Sequence, residues 1–200
     1  AITSNTVCKY VIPSLDDLSP LIPDAFLLNR WFGAIEISDP TAWYMVTAYI
    51  YIVDKALREY KMGRRILIRS ERSHRQPIIY RIALGRFENC LNSIRRCIKM
   101  LVQIDSYSKA PQIGRITKGY LNSLKSELNN IRNATEHIDE HITNGRVEIG
   151  KPFMLNVSQD GTSLEISKCC ISFKDVAKMI TLLHEIATVL SSYSKEDAAQ

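Results

Sequence analysis

The chain has no CxxC pair, no uninterrupted apolar run of bilayer length, and no short-range repeat or low-complexity tract. Each absence closes off a class of protein. The five cysteines are Cys8, Cys90, Cys97, Cys169 and Cys170, an odd number with one adjacent pair and another pair seven residues apart. That spacing favours neither a disulfide framework nor a thiolate zinc site, and reads as small buried apolar residues in a reducing compartment. The longest uncharged run, PTAWYMVTAYIYIV from Pro40 to Val53, is too short for a transmembrane helix and leads into the polar DKALREYK. The opening AITSNTVCKYVIPSLDDL lacks the basic-then-apolar form of a signal peptide. A cytoplasmic protein with no membrane partner is the expectation.

What is present describes a soluble globular domain. Two hundred residues, 46% of them apolar and 24% charged, are enough for one substantial core. The net charge of +5 permits a polyanionic partner without requiring one. Residues 1–40 hold four of the seven prolines and no sustained helical period, which predicts an N-terminal arm with a short helix around Asp24 to Phe32. Residues 41–200 then form the helical domain on which the arm packs.

Helical periods follow. Trp43, Val46, Ile50, Val53 and Leu57 make one stripe of a helix from Thr41 or Ala42 to about Tyr60, and Tyr49, Ile52, Ala56 and Tyr60 make a second. A helix apolar on two sides is central or lies at a subunit interface. The basic run KMGRRILIRSERSHRQP, bracketed by Gly63 and Pro77, reads as a loop or a poorly confined helix. Pro77 suits the first position of a second helix, with Ala83, Phe87, Cys90, Ile94, Cys97 and Leu101 facing inward. A third helix from about Arg115 to His141 carries Leu121, Leu124, Leu128, Ile131, Thr135, Ile138 and Ile142 on its stripe. After Asn144-Gly145 the period falls to two. Phe153, Leu155 and Val157 alternate before Asp160-Gly161, and Leu164 and Ile166 after it, which predicts a hairpin over residues 152–168 with a two-residue turn. Ser172 and Asp175 look like a capping pair, opening a last helix with Val176, Ile180, Leu183, Ala187 and Leu190 inward. The expected fold class is mainly α, a four-helix bundle with an N-terminal arm and a β-hairpin before the last helix.

Polar chemistry concentrates in IRNATEHIDEHI, residues 131–142, which holds half of the four histidines. On an ideal helix Arg132 and His137 lie about 140° apart and roughly 7.5 Å along the axis, flanking a ligand-sized gap. Arginine with histidine suits phosphodiester cleavage without a metal. Neutral imidazole can take the 2′-hydroxyl proton, imidazolium can protonate the leaving 5′-oxygen, and a guanidinium can hold the non-bridging oxygens. Asn133 can add a neutral hydrogen bond and Glu136 can orient Arg132. A 2′-hydroxyl nucleophile confines such chemistry to RNA.

Arg132-Asn133-Ala134-Thr135-Glu136-His137 resembles the Arg-x(4–6)-His signature of the HEPN superfamily. The preceding ALGRFENCLNSIRRCIKML resembles the helix that pairs with the motif helix in that family, and the helix order is similar over roughly residues 42–192. Members are all-α bundles, many of them metal-independent ribonucleases of toxin–antitoxin, abortive-infection or CRISPR-associated systems, with sites formed across a homodimer. The resemblance implies catalysis by Arg132 and His137, with Asn133 as the polar residue after the arginine and no cofactor or metal. It also implies a homodimer acting on RNA, and it leaves room for an antitoxin or regulatory protein as a further partner. Arg64, Arg65, Arg69, Arg72 and Arg75 would supply an RNA backbone track. The track lacks the interleaved aromatics of a base-stacking platform.

Three other readings stay open. Arg132 and Glu136 form an ordinary i,i+4 pair near a solvated helix end, where His141 suits the helix dipole. His137-Ile138-Asp139-Glu140-His141 spells HxxEH, the inverted zinc-protease pattern, with Glu148, Glu165, His184 or Glu185 as the third ligand of a small zinc hydrolase. Some members of the family are non-catalytic dimeric binding modules. His184, beside Leu183, reads as a core or boundary histidine, and His74 has no evident partner.

Overall fold

The computed structural model describes residues 10–21, 37–70, 76–111, 126, 128–136, 138–145, 150 and 152–192. The short helix expected at Asp24 to Phe32, and the positions of His74, Leu121 and Leu124, lie outside them. Helix α1 spans Pro40–Ser70 and starts at Asp39. Asp39 Oδ1 accepts from the backbone N–H groups of Thr41 at 3.0 Å and Ala42 at 3.1 Å, two donors with no partner inside the helix. Pro40 takes the next position, where its missing N–H costs nothing. The Tyr107 hydroxyl donates to the same oxygen at 3.1 Å, and Lys109 Nζ sits 3.2 Å from Oδ2. The Ala42 N–H, with help from Lys109 and Tyr107, holds the Asp39 carboxyl below the usual carboxylate range.

Helix α1 runs through Gly63 to Ser70, so the segment 61–70 is helical and the expected end at Tyr60 is too early. Gly63 is not a terminator but a point of close approach. A Cβ there would lie 3.2 Å from Cε2 and Cζ of Phe87 and 3.3 Å from the Arg86 Cβ. Phe87 lies on helix α2, Gln76–Ser106, which packs along α1 more extensively than any other pair of elements. Its ring meets Tyr60 of α1 edge-on at 5.9 Å and Phe173 at 5.1 Å. Each fully buried aromatic of this kind contributes about 1.5–3 kcal/mol by burial alone. Both stripes of α1 are buried except for the half-buried Trp43. Beside the aromatic cluster, the buried Glu59 accepts a charge-assisted bond from Arg86 at 3.1 Å.

The expected inward stripe of α2 is buried throughout, Cys90 and Cys97 included. Burial pushes both thiols well above the usual cysteine range, so they are inert packing groups. Residues 128–136 are helical, and Leu128, Ile131 and Ala134 join the core. The short helix α3, Ile138–Thr143, follows. Ile142 is exposed there, contrary to its expected place on the inward stripe.

The expected hairpin is a three-stranded antiparallel sheet: β1 Asn156–Val157, β2 Ser163–Ile166 and β3 Cys169–Ser172, in the order β1-β2-β3. Asp160-Gly161 is not a two-residue turn but the centre of a longer one. Ser158 N–H donates to Ser163 O, and Gly161, at φ 72°, donates to Ser158 O. The two-residue connection is Ser167-Lys168 instead, between the paired Ile166 and Cys169. Leu155, Val157, Leu164, Ile166 and Ile171 face the core, whereas Phe153 is exposed. Tyr80 of α2 pins the sheet, accepting from Val157 N–H at 3.0 Å and donating to Asn156 Oδ1. Ser172 then caps helix α4, Phe173–Ser191, accepting from Asp175 N–H at 3.0 Å. All five residues expected on the inner face of α4 are buried. The architecture is mainly helical with one small antiparallel sheet. No helix among the described residues is long and apolar enough to cross a membrane.

Residues 10–21 lie across α1 and α4 as a strap with one turn, in which Leu18 N–H donates to Leu15 O at 3.1 Å. Its backbone carbonyls accept from side chains: Ile12 from Arg64 Nε at 3.0 Å, Pro13 from Tyr60 at 3.0 Å, Leu18 from Lys61 Nζ at 2.6 Å and Ser19 from His184 Nε2 at 2.7 Å. Leu21 N–H donates to the buried Asp54 at 2.9 Å, and Val11 N–H to Gly161 O at 2.9 Å. Ile12 and Leu15 are the apolar anchors.

Two stability measurements check this account. Gly63→Leu forces the Phe87 ring from its seat and is expected to cost about 1–3 kcal/mol in urea unfolding. Gly63→Ala trades helix propensity against a tight contact, with a net change under about 1 kcal/mol. Asp39, with its lowered folded-state pKa, contributes stability above the unfolded carboxyl's pKa and loses it as pH falls through the folded one. Thermal melts of Asp39→Ala should therefore lie below wild type at neutral pH and converge with it in acid.

Candidate functional site

Leu128, Ile131 and Ala134 turn one side of the 128–136 segment inward, and the polar residues of the motif occupy the rest. Arg132 is partly buried, with 29% of its side chain exposed, and its guanidinium is paired with Glu136 one turn on. Arg132 Nη1 also donates to Asn133 Oδ1 at 3.2 Å. Arg132 Nε is buried and has no hydrogen-bond partner among the described residues. A guanidinium held in this way is oriented by its neighbours, and Asn133 and Glu136 remain exposed. The i,i+4 pair foreseen as the plain reading of this stretch is formed. His137 lies outside the described residues, as do the side chains of Asp139 and His141. The structure thus brings Arg132, Asn133 and Glu136 together, and neither the catalytic pairing with His137 nor the HxxEH pattern falls within it. Among the described residues no group of three His, Cys, Asp or Glu side chains could hold a metal ion. His184 is a buried structural residue holding Ser19.

The basic run divides by role. Asp16, Lys61, Arg64, Arg65, Ile68 and Arg69 line a groove of about 440 Å³ between the strap and the last turns of α1. Lys61 and Arg64 are committed to strap carbonyls, while Arg65 and Arg69 are exposed. Arg72 and Arg75 lie outside the described residues. A hydrogen bond from Ser14 holds the Asp16 carboxyl below the usual range, and the charges of Arg64, Lys61 and Arg65 act in the same direction. Asp16 is therefore ionised at neutral pH and repels an anion from its own end of the groove. Arg65 and Arg69 are the cations of this groove that face solvent.

A second depression, of about 350 Å³, lies between α2 and the 128–136 segment, and no local pattern in the chain announces it. Arg95, Ile98, Lys99, Val102, Gln103, Leu128 and Asn129 line it. Arg95 Nε donates to Asn129 Oδ1 at 3.3 Å, joining the two walls.

No protein-family model matches the chain, and no significant match to it is found among curated proteins or solved structures.

The assignment of Lys61 and Arg64 to the strap predicts a local effect. Lys61→Ala and Arg64→Ala should speed hydrogen exchange at the Val11 and Leu21 amides, both bonded in the strap. Arg65→Ala, whose charge faces outward, should leave those amides at the wild-type rate.

Proposed function

We propose that the protein is a metal-independent RNA endonuclease of the HEPN type, a homodimer whose helical domain is a variant four-helix bundle. A role in a toxin or phage-defence system in the cytoplasm goes with that reading. The observation that carries it is the oriented Arg132-Asn133 pair on a helical segment docked to the core, with His137 following in the sequence at the spacing of the motif. Arg132 would hold the non-bridging oxygens as charge builds on phosphorus, with Asn133 adding a neutral donor and Glu136 fixing the guanidinium. His137 would take the 2′-hydroxyl proton and return one to the 5′-oxygen. Arg65 and Arg69 would carry the strand by its phosphates, with Arg72 and Arg75 continuing the same basic run in sequence.

One observation favours a second reading, a non-catalytic dimeric scaffold of the same family. The Arg132 guanidinium is already engaged by Glu136 and Asn133, so a phosphate must compete with an existing ion pair.

Purified protein in EDTA is expected to cut single-stranded RNA and leave 2′,3′-cyclic phosphate ends. His137→Ala and Arg132→Ala should each lower the rate by about 100-fold or more. Wild-type cutting by His137→Ala would defeat the catalytic assignment, and no cutting by the parent protein would favour the scaffold. Arg65→Ala and Arg69→Ala should weaken RNA binding across sequences, each reducing the salt slope by about one.

A further inference from the structure

We infer that the depression between α2 and the 128–136 segment is a nucleotide subsite, taking one base of an RNA strand that continues toward Arg132. The inference rests on the ribonuclease reading for its strand and on its own geometry for its ligand. Its floor is apolar, with Ile98 and Leu128 buried and Val102 forming an exposed wall. The rim is cationic and amide-bearing: Arg95 and Lys99 supply charge, Gln103 and Asn129 supply hydrogen-bonding edges. No carboxylate is found among the described residues that line it. An apolar floor under a positive rim matches a flat, weakly polar base attached to a phosphate, and matches neither a purely apolar ligand nor a cation.

Position connects the depression to the candidate catalytic residues. Asn129 precedes Arg132 by three residues and Asn133 by four on the same helical segment, so all three lie on neighbouring rows. The axial step from Asn129 to Arg132 is about 4.5 Å, within the reach of adjacent nucleotides of one strand. Arg95 fixes the Asn129 carbonyl, which leaves the Asn129 NH₂ as the donor edge of that pair. No aromatic side chain lines the depression among the described residues, so the base is held by apolar contact and amide bonds rather than by stacking. Such a subsite sets where along the strand the scissile phosphate falls. It takes no part in the proton transfers.

The probe is AMP, titrated into ¹⁵N-labelled full-length protein in EDTA, with ribose 5-phosphate as the baseless control. Saturable shifts at the Ile98, Val102, Leu128 and Asn129 amides are expected with AMP and not with ribose 5-phosphate. Val102→Trp fills the depression from its exposed wall and should abolish those shifts, while Val102→Ala keeps them. In RNA cleavage Val102→Trp should raise KM by about tenfold or more and leave kcat within about twofold of wild type. Equal shifts with ribose 5-phosphate would mark a simple anion site and overturn the inference, as would no shifts at these amides. AMP binding by a protein that cuts no RNA would sustain the subsite and remove the nuclease reading. Cleavage with a wild-type KM in Val102→Trp would do the reverse.

Discussion

The contact between Gly63 and the Phe87 ring sets the separation of the two long helices, and nearly every other contact in the core inherits it. With no Cβ at residue 63, α1 and α2 approach until the ring lies against the backbone. Phe87 then reaches Tyr60 on one side and Phe173 on the other. That contact seats the start of α4 against Phe87, and β3, which ends at Ser172, delivers the residue that caps α4. The sheet's inner face closes the same cluster. A wider spacing at Gly63 would open voids along both faces of α1 at once, because both are buried.

Periodicity made much of this visible in the sequence, and its failures have physical causes. The stripes of α1, α2 and α4 were legible because each buried face repeats over several turns, where one ambiguous residue does not matter. Cys90 and Cys97 are the clearest case: their seven-residue spacing predicted burial, and burial is what raises their thiol pKa values. Gly63 misled because glycine reads locally as a helix breaker, while its role here is set by a ring on another helix. Strand β3 was missed because Cys169 and Cys170 carry no alternation, and its two-residue turn uses Ser167 at φ 53° instead of a glycine. Ile142 was placed inward by extending the stripe past the point where the helix leaves the core.

The candidate site was legible as composition rather than as geometry. Arg132, Asn133 and Glu136 lie on one helical segment, so their mutual contacts follow from spacing alone. What the sequence could not supply is the opposite wall, because Arg95 meets Asn129 across the gap between two elements far apart in the chain. The same holds for the basic run. Its charge was plain, but nothing local distinguishes Lys61 and Arg64, turned to the strap, from Arg65 and Arg69, turned to solvent.

The polar grip on the strap falls on its main chain. Tyr60, Lys61, Arg64 and His184 each hold a carbonyl, a group common to all residues. A clamp of this kind does not read the side chains of what it holds. Apart from Ile12 and Leu15 and the half-buried Tyr10, Leu18 and Leu21, the strap's own sequence is therefore free to vary, while the four residues that hold it are not. Mutational tolerance should be lopsided across this one contact, permissive on the ribbon and strict on the helices beneath.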